Sequence, residues 1–138
     1  MISFNWIETG VGIADEHKTR NWLQLVLTTE NFLSGEIAYI FCGDKQLHAL
    51  NLRFLKHDTY TDILTFPAGN STETVSGEIY ISLDRVLDNA SKFQEDPEKE
   101  LLRIMVHGLL HLCGYDDASP AEKLQMTAKE DYYLNLHP

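Results

Sequence analysis

The sequence contains few cysteines and no long apolar run, and each shortage excludes a class of protein. Two cysteines, Cys42 and Cys113, are too few for a disulfide-stabilised scaffold, and we expect both to be reduced packing residues. No stretch approaches the roughly 18 uninterrupted apolar residues that a membrane span needs. No charged and then apolar leader opens the chain. These features predict a cytoplasmic protein.

Basic side chains are also scarce, because 11 Lys and Arg stand against 21 Asp and Glu and give a formal net charge of −10. Proteins that hold nucleic acid mainly through phosphate contacts usually present a basic face. Residues 1–60 carry five basic and seven acidic side chains, a net charge of −2, whereas residues 61–138 carry six and fourteen, a net charge of −8. A surface that binds a polyanion is therefore expected in the first half of the chain.

Length and hydrophobic content predict one domain, residues 1–138. With 138 residues and a hydrophobic content of 43%, the chain can bury one core but has no room for a second domain. Alternating and helical periodicities predict an α+β or α/β fold, in which helices pack on a small mixed sheet. The predicted strands are 2–7, 36–42, 62–66 and 78–82, and the predicted helices are 15–33, 44–56, 82–93 or 84–93, a helix opening at Asp96-Pro97, and 119–134. Segment 68–76 is interpreted as a hairpin connection, with a lid over the site as the alternative.

Two histidines on the most apolar of these helices indicate a metal site. An α-helix turns by about 100° per residue, so His107 and His111 project from one face, one turn apart. The residues around them are almost all apolar, and this helix is therefore expected to be central in the core. Two imidazoles buried there without partners would be costly, whereas a bound divalent ion satisfies both.

An acidic residue after the helix can complete the ligand set. Gly114 is expected to take the left-handed conformation that ends a helix, so that the reversed chain brings Asp116 or Asp117 back beneath the histidines. The spacing H-x3-H-x5-D matches the zincin pattern, including its glycine, and favours Asp117. Cys113 projects about 200° around the helix from His111 and is not expected to bind. Three ligands leave a tetrahedral zinc ion one open position, as in catalytic sites.

The residue after the first histidine is Gly108, and this departs from the zincin peptidases. Those enzymes carry a glutamate at this position, which acts as general base. A peptidase built on this chain would need another carboxylate near the metal, such as Glu78 or Asp58.

The motif His107-Gly-x-Leu-His-Leu-x-Gly-Tyr-Asp and two upstream segments resemble the YbeY family of metal-dependent endoribonucleases, which act in ribosomal RNA maturation. The upstream segments are LNLRFLKHDTYTDILTFP at 50–67 and GEIYIS at 77–82, so that the resemblance covers residues 36–118 in order and spacing. The family's motif ends in a third histidine where this chain has Asp117. An aspartate oxygen is an acceptable zinc ligand, although another divalent transition metal is the alternative.

Two further departures lie upstream of the metal motif. The family's arginine after the aromatic residue corresponds to Leu55, and its proline corresponds to Tyr60. If a cation near the metal is needed to neutralise phosphate charge, Arg53 or Lys56 supplies it from a shifted position. The alternative is that both are solvated charges on a helix surface.

The resemblance implies a single-strand-specific endoribonuclease that acts in rRNA processing and in ribosome maturation and quality control. Its implied partners are RNA and ribosomal particles or ribosome-associated proteins. Delivery of the RNA by such a partner would compensate for the acidic net charge of the protein. Asp116 is the candidate general base, with a hydrogen bond to a ligand histidine or a turn cap as the alternative. Two other classes stay open: a zincin-like metallohydrolase of peptides or small molecules, and a non-catalytic ribosome-associated factor with a structural metal.

Overall fold

The computed structural model describes residues 1–8, 10–57, 61–69 and 71–138, which form one mixed sheet packed by helices. The strands are β1 (Ile2–Trp6), β2 (Leu33–Cys42), β3 (Ile63–Pro67) and β4 (Thr74–Ser82), in the spatial order β1-β2-β4-β3. Strand β2 runs parallel to β1 and β4, whereas β3 pairs antiparallel with β4. This architecture confirms the predicted α+β class with a small mixed sheet.

The described part of the chain also contains five α-helices. They are α1 (Glu16–Thr29), α2 (Asp44–Leu50), α3 (Leu83–Phe93), α4 (Pro97–Leu112) and α5 (Pro120–Asn135), and a π-helical turn (Asn51–Leu55) follows α2. Two predicted helix starts are confirmed: Asp96 caps α4 by accepting from the Lys99 amide, and Ser119 forms a capping box with Glu122 ahead of α5. No helix within these residues is both long and apolar enough to cross a membrane.

Helix α4 is central in the core, as its apolar sequence predicts. Ten of its 16 residues are buried, and it packs against β3 and β4. The approach is close at Gly108, where an added Cβ would lie 2.7 Å from Ile63 Cδ1 and 2.8 Å from Ile79 Cγ2. Glycine therefore allows the helix that carries His107 and His111 to lie directly on the sheet.

Some predicted boundaries were wrong, because local chain reversals and strand pairing decided them. Helix α1 ends at Thr29 rather than at residue 33, since Asn31 takes a positive φ of 68° and the chain then enters β2. Strand β4 begins at Thr74 rather than at residue 78, because it pairs with the first residues of β2. The predicted hairpin connection is confirmed by the antiparallel β3–β4 pair, although it is correspondingly shorter than 68–76.

The helix predicted over 44–56 was also wrong in detail. Its N-cap is Gly43, whose amide donates to Gln46 Oε1 at 2.7 Å. The sequence indicated Asp44 as the N-cap, but Asp44 is the first helical residue. Its carboxylate accepts from Ser82 Oγ at 2.7 Å and from Arg85 Nε at 3.1 Å. The α-helix gives way to the π-helical turn, which ends at Lys56 with a φ of 56°.

Candidate metal centre

Helix α4 brings the two predicted histidines together at its C-terminal end. Their Nε2 atoms lie 3.0 Å apart, and each side chain is 22% exposed. This proximity follows from the i, i+4 spacing, which stacks side chains one turn apart on one helix face.

A glycine turn ends α4 and positions the residues that follow. Gly114 has a φ of 106°, its amide donates to the His111 carbonyl at 3.0 Å, and the Tyr115 amide donates to the Leu110 carbonyl at 3.0 Å. These two bonds define a Schellman motif, as expected from the glycine. The turn also directs the Tyr115 carbonyl at His111, whose Nδ1 lies 2.8 Å away.

The turn returns Asp117 to the histidine pair. Its Oδ2 lies 3.3 Å from His107 Nε2 and 3.6 Å from His111 Nε2. Metal–ligand bonds of about 2.0–2.1 Å at tetrahedral angles separate neighbouring ligand atoms by about 3.3–3.4 Å. Within the described ranges, these three residues form the one His, Cys, Asp or Glu group whose ligand atoms all lie within 4.8 Å of one another. The triangle therefore has the size of one face of a tetrahedral site.

The hydrogen-bond partners of the rings explain why a cation fits this triangle. A carbonyl can only accept, so His111 Nδ1 donates to Tyr115, and His107 Nδ1 likewise donates to the Glu130 carboxylate at 2.7 Å. In the neutral rings both Nε2 atoms then carry lone pairs, which face each other and the Asp117 carboxylate. Such a convergence of acceptors without a hydrogen to share is stabilised by a positive ion.

The outer nitrogen of His107 is held by a buried acidic network. Glu130, on α5, is only 7% exposed and bridges His107 to Arg103 Nη1, which donates to its Oε1 at 2.9 Å. Arg103 Nη2 also donates to Asp131 at 2.6 Å. Burial alone would lower the pKa of His107, but the hydrogen bond and charge of Glu130, followed by the charges of Asp117 and Asp62, raise it overall.

The turn that orients His111 is tied to a second network. Tyr115 Oη donates to Glu30 Oε1 at 2.6 Å, and Glu30 also accepts from Lys129 Nζ at 3.0 Å and from Tyr133 Oη. Burial raises the pKa of the Glu30 carboxyl, but the hydrogen bonds from Tyr115, Tyr133 and Lys129 outweigh it and lower the pKa. The metal-site turn is therefore fastened to the C-terminal end of α1 and to α5.

A cleft opens on the other side of His107. It has a volume of about 660 Å³, and its buried walls include Glu100 and Glu130. Asn89 and Phe93 of α3, Asp62 ahead of β3 and Lys123 of α5 also line it. This cleft is termed the His107 cleft.

The remaining predicted site residues are less closely associated with the triangle. Asp116 is exposed and is not part of the ligand group. Cys113 packs against the core, as predicted, and burial raises the pKa of its thiol to about 12. Both cysteines are free thiols.

The two predicted RNA-contacting cations lie in and after the π-helical turn. Arg53 and Lys56 are exposed, and the Arg53 guanidinium lies 5.2 Å from the centroid of the Phe54 ring. Neither is among the residues that line the His107 cleft. The family's proline position, Tyr60, lies outside the described residues.

Glu78, one of the two carboxylates considered for a peptidase base, does not join the triangle either. Gly77 and Ile79 of β4 face α4, so the alternation along the strand points Glu78 to the opposite face of the sheet. Asp58 lies outside the described residues.

The sequence reasoning missed Glu130 and Arg103. A histidine that binds metal commonly donates its other nitrogen to a carboxylate, so such a partner could have been expected. Arg103 stands one turn before His107, but the irregular apolar pattern of α5 gave no means of selecting Glu130.

Comparisons with known proteins agree with this geometry. The family model described as endoribonuclease YbeY matches residues 8–137. The curated endoribonuclease YbeY of Flavobacterium psychrophilum is 46% identical over 136 residues, covering 99% of this chain and 96% of that protein. The protein of the same name from Phocaeicola vulgatus is 41% identical over 138 residues, with 99% and 98% covered.

A solved structure supports the fold as well. The solution structure of a Thermotoga maritima protein matches with a TM-score of 0.67 at 31% identity, covering 97% of this chain and 87% of that one. Because the family model and the relatives extend over nearly the whole sequence, the chain belongs to the endoribonuclease YbeY family.

Proposed function

We propose that this protein is a metal-dependent endoribonuclease that cleaves single-stranded RNA during rRNA processing and ribosome maturation in the cytoplasm. The observation that carries the proposal is the His107–His111–Asp117 triangle, in a chain whose curated relatives are named endoribonucleases. Residues 1–138 are proposed to form the single catalytic domain.

The proposed ligands are His107 Nε2, His111 Nε2 and an oxygen of Asp117, and the proposed ion is Zn²⁺. Nitrogen and carboxylate donors at these spacings suit zinc, and three protein ligands leave a position open. When bound, such an ion lowers the pKa of a coordinated water and polarises a phosphoryl oxygen. Glu130 and the Tyr115 carbonyl keep both rings turned with Nε2 toward the ion.

Asp116 is proposed as the general base. Its exposure and its place directly before the proposed ligand Asp117 support this role. Arg53 and Lys56 are proposed to contact phosphates of the substrate from the surface between α2 and β3. Delivery of the RNA by ribosomal particles or ribosome-associated proteins would compensate for the net charge of −10.

Peptide hydrolysis is disfavoured by the packing of α4. The position that holds the base in zincin peptidases is Gly108, where even a Cβ would lie 2.7 Å from a neighbouring side chain. A glutamate there cannot be accommodated against β3 and β4 without displacing the helix.

Cleavage of single-stranded rRNA by the purified protein tests the proposal. We expect cleavage with added Zn²⁺, its loss with a chelator and its return when Zn²⁺ is restored in excess. His111→Ala should abolish both metal binding and cleavage, whereas His17→Ala, at an exposed histidine of α1, should change neither. Cleavage that persists in His111→Ala, or turnover of casein instead of RNA, contradicts the proposal.

The two neighbouring aspartates form a matched pair that separates ligand from base. Asp117→Asn should weaken metal binding and activity together. Asp116→Asn should leave the metal content unchanged and lower kcat by about 10²- to 10⁴-fold, which is the usual contribution of a general base. Full activity of Asp116→Asn would reject the base without affecting the ligand assignment.

A further inference from the structure

The His107 cleft contains hydrogen-bonding groups that the metal site does not use. Asp62 and Glu100 present carboxyl groups, and the Asn89 amide between them donates to Asp62 Oδ2 at 3.5 Å and to Glu100. Phe93 presents an aromatic ring that is 68% exposed. An exposed aromatic ring beside these polar groups offers a planar ligand a face on which to stack.

The cleft begins at the metal-site helix itself. Glu100 and His107 both line it and stand seven residues apart on α4, which corresponds to about 10 Å along the helix. A nucleotide that is bound at the His107–His111–Asp117 triangle through its phosphate can therefore place its base in the cleft.

The charge of the cleft favours a base over a phosphate. The carboxyl groups of Asp62, Glu100 and Glu130 repel phosphate, whereas they accept hydrogen bonds from amino and imino groups. The oxygens of Glu130 already accept from His107 and Arg103, so the acceptors for a ligand are the lone pairs of Asp62 and Glu100 that Asn89 does not use. Lys123 is exposed at the cleft mouth, where it can meet the phosphate backbone.

Burial of the Glu100 carboxyl group costs folding free energy. Glu100 is only 7% exposed, and burial raises its pKa; the charge of Arg103 and a hydrogen bond from Asn89 oppose this rise, and the charge of Asp62 adds to it. A buried acid with a perturbed pKa in a cleft beside a metal site is more often retained for function than for stability.

We propose that the His107 cleft binds a guanine base next to the cleaved phosphodiester, an inference that rests on the proposed RNA cleavage. Guanine presents two adjacent donors, N1–H and the 2-amino group, to the remaining lone pairs of Asp62 and Glu100. Phe93 stacks on the base. Uracil presents one donor between two acceptors, and the carboxylates would repel those two acceptor oxygens.

Defined single-stranded oligoribonucleotides test the base preference with the zinc-loaded enzyme. Oligouridine with one guanosine should be cleaved beside the guanosine with a kcat/KM about tenfold above that of plain oligouridine, since a matched bidentate contact discriminates by roughly this factor. Inosine lacks the 2-amino group, so replacing the guanosine by inosine should remove most of the gain.

Two variants connect the preference to the cleft. Glu100→Gln should reduce the guanosine preference to less than about threefold while its melting temperature at pH 7 stays equal to wild type or rises, because a neutral amide avoids burying charge. Phe93→Ala should lower kcat/KM for all oligonucleotides about tenfold through lost stacking, with its preference intact. Tyr132→Ala removes an aromatic ring of similar exposure, 55%, outside the cleft, and it should change neither kcat/KM nor the guanosine preference.

The outcomes separate this inference from the proposed function. If no oligonucleotide is cleaved under any metal condition, the endoribonuclease proposal fails. If wild type cleaves plain oligouridine and the guanosine oligonucleotide equally well, or Glu100→Gln keeps the full preference, the guanine inference fails alone. A second bound metal ion that is lost in Glu100→Gln would also overturn it, because the carboxyl groups would then hold a cation.

Discussion

Replacement of Glu130 by glutamine is expected to weaken metal binding without removing a ligand. In the wild type, the two carboxylate oxygens accept from His107 Nδ1 at 2.7 Å and from Arg103 Nη1 at 2.9 Å. Glutamine has nearly the same shape but only one acceptor oxygen, so its NH₂ group must face one of these two donors. Either the His107 ring turns or a buried donor is left unpaired.

The structure sets the size of this effect. Loss of a hydrogen bond that orients a ligand histidine typically costs 10- to 100-fold in metal affinity, which corresponds to about 1.4–2.8 kcal/mol. The Glu130 side chain is 9% exposed and that of Arg103 30%, so the ion pair is largely desolvated. Its disruption should lower the free energy of unfolding of the metal-free protein by about 3 kcal/mol. For a domain of this size that corresponds to roughly 10 °C in Tm.

Asp131 provides the matched control for this prediction. It is the next residue on α5 and accepts from the same guanidinium at 2.6 Å, but its side chain is 56% exposed. An exposed ion pair contributes at most about 1 kcal/mol to the free energy of unfolding. Because Asp131 pairs with Arg103 and not with His107, Asp131→Asn should leave the zinc Kd unchanged. The assay is competition with a chromogenic chelator at 25 °C, well below the transition, together with thermal unfolding. A Kd for Glu130→Gln within threefold of wild type would refute the reasoning.

Three further predictions concern the turn, the anchoring network and the close packing of α4. Gly114→Ala forces an L side chain into a φ of 106° and should lower the free energy of unfolding, measured by denaturation, by at least about 1–2 kcal/mol. It should also weaken zinc binding in the competition assay, and an unchanged zinc affinity would contradict a positioning role of the turn. The lowered pKa of Glu30 means that its stabilisation is present above about pH 4.5 and is lost as the pH falls through the lower folded-state pKa. Glu30→Gln should therefore be less stable than wild type at pH 7, and this deficit should shrink as the pH falls below 4.5; a deficit that stays constant would reject the ionised network. Gly108→Glu should destabilise the fold by more than about 2 kcal/mol without creating peptidase activity, and a soluble variant with wild-type Tm would disprove the packing argument.

Much of the site was predictable because its parts are local in the chain. His107 and His111 share a helix face through a fixed spacing, and Gly114 ends that helix through a Schellman turn. The same turn returns Asp117, which was selected over Asp116 by spacing alone. These contacts depend on dihedral angles within one segment, so sequence periodicity was sufficient to predict them.

The fold class was predictable for a similar reason, whereas its boundaries were not. Alternation and helical spacing located all four strands and the helices between them. The ends of α1 and β4 depend on the left-handed Asn31 and on pairing with a strand forty residues away, as between Leu33 and Thr74. Pairing across such separations is decided by the packed sheet and not by local preference.

By itself, the sequence determined a helix with two histidines, a glycine that ends it and an acid after it, and thereby a triangle of candidate metal ligands. Only the tertiary structure decided what surrounds it: Glu130 reaches His107 from a helix 23 residues later, and Glu30 reaches Tyr115 across 85 residues. The His107 cleft likewise draws its lining from three helices and the segment before β3. These partners depend on how helices pack against one another and the sheet, which no periodicity within a single segment encodes.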